Sequence, residues 1–255
     1  MARVIAFANQ KGGVGKTTSI INIGAYLAKH RKKVLIIDSD PQANASSGLG
    51  YKHTDDNPTL YYVLTGETPT QKAILQANLK NLYLLPSSSE LAGATVELVN
   101  QKEREFQLKK IIQEIDSNYD YILIDCPPSL GLITINALAA AKEVIIPVQC
   151  EYYALEGLGH LLHTIGLVKE RLNSDLVVMG AVLTMHDKRT NISSQVIDEV
   201  HAHFPHHVFE TIIPRNVRLA EAPSFGKTIL EYNRHSKGAR AYQNLVKEIL
   251  NLDHE

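Results

Sequence analysis

The chain has 255 residues, 44% of them hydrophobic and 21% charged, with a formal net charge of −1. That length can bury a full core as one α/β domain over residues 1–255, and the composition is that of a soluble globular protein. No stretch approaches the ~18 apolar residues of a membrane span, and two cysteines, Cys126 and Cys150, suit a reducing cytosol rather than a disulfide framework.

The first apolar run, Val4 to Ala8, reads as a strand. It starts almost at Met1, so neither a signal peptide nor a separate N-terminal DNA-binding domain is expected. Lys11-Gly12-Gly13-Val14-Gly15-Lys16-Thr17-Thr18 follows, then a helical pattern from Ile20 to Ala28. Strand, glycine-rich turn and helix form the setting of a phosphate-binding loop. Glycines let backbone N–H groups close around phosphate oxygens, and the helix N-terminus adds its positive dipole end. Lys16 can reach the β- and γ-phosphates, and the Thr17 hydroxyl can ligate Mg²⁺. One departure from G-x-x-x-x-G-K-[ST] stands out: its first glycine position holds Gln10, and a second lysine, Lys11, follows at once.

Farther along, Val34 to Ile37 ends at Asp38, and Gly50 to Asn57 reads as an exposed loop. Leu82 to Leu85 ends at Pro86, Tyr121 to Ile124 at Asp125, Val144 to Ile146 at Pro147, and Val177 to Leu183 near Thr184. Helical patterns cover Glu103 to Ile115, Leu158 to Leu172 and Ser193 to His203, and Thr211 to Ile213 reads as a strand before a Pro-Arg-Asn turn. Short, continuously apolar strands are buried on both faces, as in a parallel sheet. Alternating with helices, they predict a doubly wound, mostly parallel sheet with helices on both faces. Such sheets bind ligands at the carboxyl ends of strands, where the glycine-rich loop, Asp38 and Asp125 fall.

A carboxylate at Asp125 can hold Mg²⁺ through water, although a strand-end Asp also serves as a cap. Asp38-Ser39-Asp40-Pro41 can be a plain Asx-turn, or can supply the group that orients the attacking water in phosphoryl transfer. From His186 to Lys247, nine Lys/Arg face six Asp/Glu, an asymmetry that permits a basic patch without establishing one. His201, His203, His206 and His207 read as solvated histidines, because i, i+2 spacing does not place two imidazoles on one helical face.

The Lys11 position resembles the deviant Walker A loop of the ParA/MinD/nitrogenase-iron-protein class of ATPases. Asp38-Ser-Asp-Pro-Gln, Asp125-Cys-Pro-Pro-Ser-Leu-Gly, the block from Pro147 to Gly157 and the block from Pro214 to Ser224 are similar to the Soj group of chromosomal ParA proteins. The resemblance implies a deviant Walker P-loop fold, Mg-ATP as ligand, and an ATPase that partitions a chromosome or plasmid in the cytoplasm, on the nucleoid. It further implies an ATP-sandwich homodimer that binds double-stranded DNA without sequence preference and is stimulated by a ParB/Spo0J-type partner.

By the same resemblance, Lys11 reaches the partner's nucleotide, Asp40 orients water and Asp38 supports the magnesium shell. Pro214 and Asn216 line the adenine pocket, and Arg189 and Arg218 contact DNA. Two other readings stay open. A MinD-type membrane ATPase needs a basic amphipathic C-terminal helix, whereas the tail from Tyr242 ends acidic and is expected to pack on the domain. An iron–sulfur carrier needs two interfacial thiolates, for which Cys126 and Cys150 are the candidates.

Overall fold

In the computed structural model, which describes residues 1–54, 57–151 and 157–252, the apolar runs line up as one seven-stranded sheet. In chain order the elements are β1 (Arg3–Phe7), α1 (Lys16–Lys29), β2 (Val34–Asp38), α2 (Asn44–Gly48), α3 (Leu60–Leu64), α4 (Thr70–Ala73), β3 (Leu75–Gln76), β4 (Leu82–Leu85) and α5 (Leu91–Leu98). There follow α6 (Gln107–Ile115), β5 (Tyr121–Asp125), α7 (Leu132–Ala140), β6 (Glu143–Gln149), α8 (Leu158–Arg171), β7 (Val177–Thr184), α9 (Asn191–His203), α10 (Val217–Glu221), α11 (Ile229–Asn233) and α12 (Lys237–Asn251). The strand order is β3-β4-β2-β5-β1-β6-β7, parallel throughout except for the short antiparallel β3. Residues 152–156 of one block used for the family resemblance, 55–56 of the expected loop and the last three residues lie outside the described chain.

Side chains alternate between two apolar layers, as the period of a strand requires. Val4 and Ala6 of β1, Leu35 and Ile37 of β2, and Ile122 and Ile124 of β5 pack under α3 to α9. Ile5 and Phe7, Val34 and Ile36, and Tyr121 and Leu123 pack under α1, α2 and α10 to α12. Helices therefore cover both faces, the doubly wound arrangement expected. Helix α12, capped by Ser236, lays Tyr242, Leu245, Val246 and Ile249 onto the second layer, so its apolar face is consumed inside the domain.

Three expectations are corrected. Pro147 does not end its strand; it pairs with Val182 inside β6. The pairing of β6 with β1 stops at Ile145, so no ladder needs an N–H at Pro147, and its carbonyl accepts from Asn9 Nδ2 at 2.7 Å. The pattern from Glu103 splits, because Glu103 has φ 54°, Arg104–Phe106 is a 3₁₀ turn, and the α-helix begins at Gln107. Thr211 to Ile213 is not a strand: isolated bridges flank the segment, Val208 with Ala181 of β7 and Pro214 with His186 just beyond β7, and Ile213 N–H reaches β7, at Leu183. The Glu248 carboxylate of α12 takes the N–H groups of Glu210 and Thr211 and the Thr211 hydroxyl, which removes donors a ladder would need.

Just before that segment the chain approaches β7 so closely that a Cβ on Gly180 would lie 2.9 Å from the His207 carbonyl oxygen. The same oxygen accepts from Ala181 N–H. We predict that Gly180→Ala, by forcing this backbone apart, lowers stability by about 1–3 kcal/mol. In urea unfolding the midpoint should fall with the slope unchanged; an unmoved midpoint would show that the chain there yields freely.

Candidate phosphate and metal site

Phe7, Asp125 and Asp38 are register partners across β1, β5 and β2, so three strands end level. The loop from Ala8 to Gly15 turns over these ends. Gly13 and Gly15 have φ of 72° and 87°, the left-handed region where a Cβ is strained, and Gly15 is the N-cap residue of α1. Val14 is buried, and its carbonyl accepts from the Thr184 hydroxyl at 2.8 Å, which anchors the loop to the end of β7.

Lys16 is buried rather than a surface residue, and its Nζ donates to the carbonyls of Asn9 (3.1 Å) and Lys11 (3.3 Å). Burial holds its ammonium below the ordinary lysine range, against the pull of Asp125. Thr17 Oγ1 donates to Asp125 Oδ2 at 2.7 Å. Asp125 is fully buried, and its Oδ1 has no protein partner. Burial first, and the charge of Asp38 second, push its carboxyl well above the usual range. Asp38 Oδ2 accepts from the amide and the hydroxyl of Ser46, both at 2.7 Å, and burial still raises its carboxyl to about 6. Asp40 caps its own turn by accepting from Gln42 N–H, and it also lines a cavity of about 480 Å³ with Gly12, Gly13, Lys16 and Thr17.

This corner fits a hard divalent cation. It offers a hydroxyl, two buried carboxylates and one carboxylate oxygen without a partner. Among the described residues no cluster of three or more His, Cys, Asp or Glu could hold a metal alone. Mg²⁺ needs only one or two carboxylates when phosphate and water complete its shell.

A second cavity, of about 230 Å³, shares Gly15, Thr18 and Met185 with the first. Pro214 and Asn216 line it together with Ile213 and Leu219, an apolar slot of a size and polarity that suits a flat base. Tyr242 closes the floor, its hydroxyl hydrogen-bonded to Ser19 of α1. The Asn216 carboxamide oxygen caps α10 by accepting from Arg218 N–H, and among the described residues its NH₂ group has no partner. Sequence reasoning missed Asn9, Ser46, Thr184, Met185, Leu219 and Tyr242. Only Thr184 and Met185 carried a signal, their place at the carboxyl end of a strand.

Lys11 does not line the cavity of its own chain, and among the described residues its ammonium has no partner. Arg189 makes a bidentate pair with Asp187, and Arg218 pairs with Glu221 at 2.8 Å; both are exposed. Arg189 borders a broad cleft of about 1070 Å³ with Lys188, Arg215, Lys237, Arg240 and Lys247, whereas Arg218 lies outside it. Cys126 and Cys150 are buried, and burial pushes both thiols up, Cys150 to about 11. His203 pairs with Glu199 on α9, in keeping with a solvated histidine.

The chain matches the AAA domain family over residues 2–178. It is 52% identical over 253 residues to a chromosome partitioning protein ParA of Myxococcus xanthus, covering 99% of this chain and 89% of that protein. It is also 52% identical over 249 residues to the sporulation initiation inhibitor protein Soj of Bacillus subtilis, covering 98% of each. Among solved structures it is similar to a cobyrinic acid a,c-diamide synthase of Mycobacterium smegmatis with bound ATP analog and magnesium. The TM-score there is 0.87 at 37% identity, over 98% of this chain and 95% of that one. With this site, and with this identity along nearly its whole length, the chain belongs to the ParA/Soj family of chromosome-partitioning ATPases.

Proposed function

We propose that the chain is a single-domain partition ATPase that binds Mg-ATP, closes into a homodimer, and in that form binds double-stranded DNA without sequence preference on the nucleoid. A ParB/Spo0J-type partner then stimulates hydrolysis and release. The observation that carries this reading is the glycine-rich loop set over the level ends of β1, β5 and β2, with Lys16 and Thr17 lining one cavity and Asp125 held behind Thr17 by its hydroxyl.

Backbone amides from Gly12 to Thr18 and the Lys16 ammonium would hold the phosphates, and the slot with Pro214 and Asn216 would hold the base. Thr17 and Asp125 would hold Mg²⁺, with Asp38 behind them; when bound, the ion neutralises charge on the phosphate oxygens. Asp40, at the rim of the cavity, accepts a hydrogen bond from the attacking water and so orients it. Lys11, excluded from the cavity of its own chain, supplies the second positive charge to the nucleotide of the other copy, as an arginine finger does. A MinD-type membrane role is disfavoured, because the apolar face of α12 is spent on the domain core.

We predict that Lys16→Ala weakens ATP binding by about 10–100-fold, the worth of a charge-assisted hydrogen bond to phosphate. Because Lys16 is buried, calorimetry should be paired with a melting curve; a folded variant with unchanged affinity would remove Lys16 from the phosphate site.

Asp40→Ala should slow hydrolysis by about 100-fold or more, leave ATP affinity largely intact and trap the dimer. Lys11→Ala should bind ATP yet neither dimerise nor hydrolyse it. Mixing the two variants restores one intact site per heterodimer if Lys11 acts in trans. Heterodimers demonstrated by crosslinking but without recovered activity would place Lys11 on its own nucleotide.

DNA binding should require ATP and fall steeply with salt, each neutralised phosphate adding about 0.9 to the log–log slope. Arg189→Ala or Arg218→Ala should weaken binding to every sequence alike and flatten that slope, since exposed ion pairs to Asp187 and Glu221 exchange readily for phosphate. Equal binding without nucleotide, or a strong preference for one sequence, would contradict the paired-surface mechanism. ATP-dependent binding to liposomes rather than DNA would favour the MinD-type role.

A further inference from the structure

We infer that Ser46 is a positioning residue that sets the Asp38 carboxylate and, through it, the loop carrying Asp40. The inference rests on the reading of Asp38 as support for the Mg²⁺ shell. Asp38 is fully buried, and among the described residues it has no ion-pair partner. Its Oδ2 takes two donors from the same residue, the Ser46 amide and hydroxyl, both at 2.7 Å. Its Oδ1 takes only the Asp40 amide, at 3.2 Å. Two short bonds to one oxygen fix rotation of the carboxylate, so Ser46 decides that Oδ1 is the less committed oxygen.

The direction of the Ser46 hydroxyl is itself determined. Ser87 N–H donates to Ser46 Oγ at 2.9 Å, which leaves the single hydroxyl proton to point at Asp38. Ser87 follows β4, which pairs with β2, so this relay ties the ends of two adjacent strands. Ser46 lines neither the phosphate cavity nor the base slot and therefore acts only through Asp38. The same carboxylate holds both ends of the segment from Asp40 to Ser46, one by each oxygen. Within that segment Ala43 is held at φ 51°, a conformation that needs such closure.

The test uses ADP, which reports on Mg²⁺ without hydrolysis, and reads ADP affinity by calorimetry across a Mg²⁺ titration. Ser46→Ala should raise the Mg²⁺ needed for full affinity by about 10-fold, with Mg²⁺-free affinity within about two-fold of the parent. Asp38→Ala should raise it at least as much, and the double variant should be no worse than Asp38→Ala alone, because one residue acts through the other. Ser46→Thr, which keeps the hydroxyl, should restore the parent behaviour. Ser87→Ala should change nothing, since the relay uses only its amide and its Oγ has no partner. If Ser46→Ala does not fold, Ser46→Cys, similar in size with a weak donor, carries the same expectation. Additive effects of Ser46→Ala and Asp38→Ala, or an unchanged Mg²⁺ requirement in Ser46→Ala where Asp38→Ala raises it, overturns the role of Ser46. An unchanged requirement in Asp38→Ala overturns instead the reading of Asp38 on which it rests.

Discussion

Asp125 and Asp38 end adjacent parallel strands, both fully buried, and one oxygen of Asp125 meets no protein group. Taking a carboxylate out of water costs several kcal/mol unless a partner compensates it. The compensation within the chain is partial: one hydroxyl from Thr17, three hydrogen bonds to Asp38, and Lys16, whose own ammonium is disfavoured by burial. Burial raises both carboxyls, Asp38 to about 6, and the charge of Asp38 raises Asp125 further. A corner built this way is unfavourable by itself, and in the proposed function a cation completes it. Whatever supplies that cation binds the folded chain and not the unfolded one, so it stabilises the fold by mass action. The parallel register makes the arrangement unavoidable once both strands end in Asp.

The remaining parts of the site follow from what that corner leaves open. The loop after β1 covers it from one side, and the ends of β7 and α12 complete the base slot beside it. Tyr242 shows how one side chain serves two ends. It is among the largest fully buried groups of the core, and its hydroxyl bonds to Ser19 of α1 under the base slot. The helix that closes the second apolar layer is thus also the floor of the slot. Its outer face contributes Lys237, Arg240 and Lys247 to the basic cleft, and Arg215 borders both spaces. A nucleotide base and a polyanion would meet opposite sides of the same helix and the same short segment.

How much of this was legible in the sequence depended on how local each feature is. Parallel strands buried on both faces leave unbroken apolar runs, so β1, β2, β4, β5, β6 and β7 could be read within a few residues. The loop octet is contiguous, and Asp38 and Asp125 announce themselves as acids closing such runs. What escaped is set by distance along the chain. Asn9 meets Pro147 across 138 residues, Thr184 meets Val14 across 170, and Ser19 meets Tyr242 across 223. No spacing rule reports pairs of that kind. Short helices such as α2, α10 and α11 span five residues each, too few to show a period. The strand expected from Thr211 failed because Glu248, 37 and 38 residues away, takes the amides of Thr211 and of Glu210 before it. Arg189 and Arg218 were visible only through family resemblance, since an exposed arginine beside an acid looks the same whether or not it ever meets DNA.

Lys11 and Lys16 show why two lysines in one loop are not interchangeable. The backbone of Lys11 is fully employed in shaping its own loop: its amide donates to Asn9 Oδ1, and its carbonyl accepts from Lys16 Nζ. That role leaves its side chain outside the cavity the loop encloses, whereas Lys16, the first residue of α1, points back under the loop and is buried there. A charge placed outside its own site and free of partners contributes little to one chain alone. It gains a function only when a second surface brings an anion to it. In the proposed dimer that anion is the other copy's nucleotide, so the catalytic set is split between two chains by the geometry of the loop itself. In that proposal hydrolysis is confined to the assembled state, because the second lysine comes from the other chain.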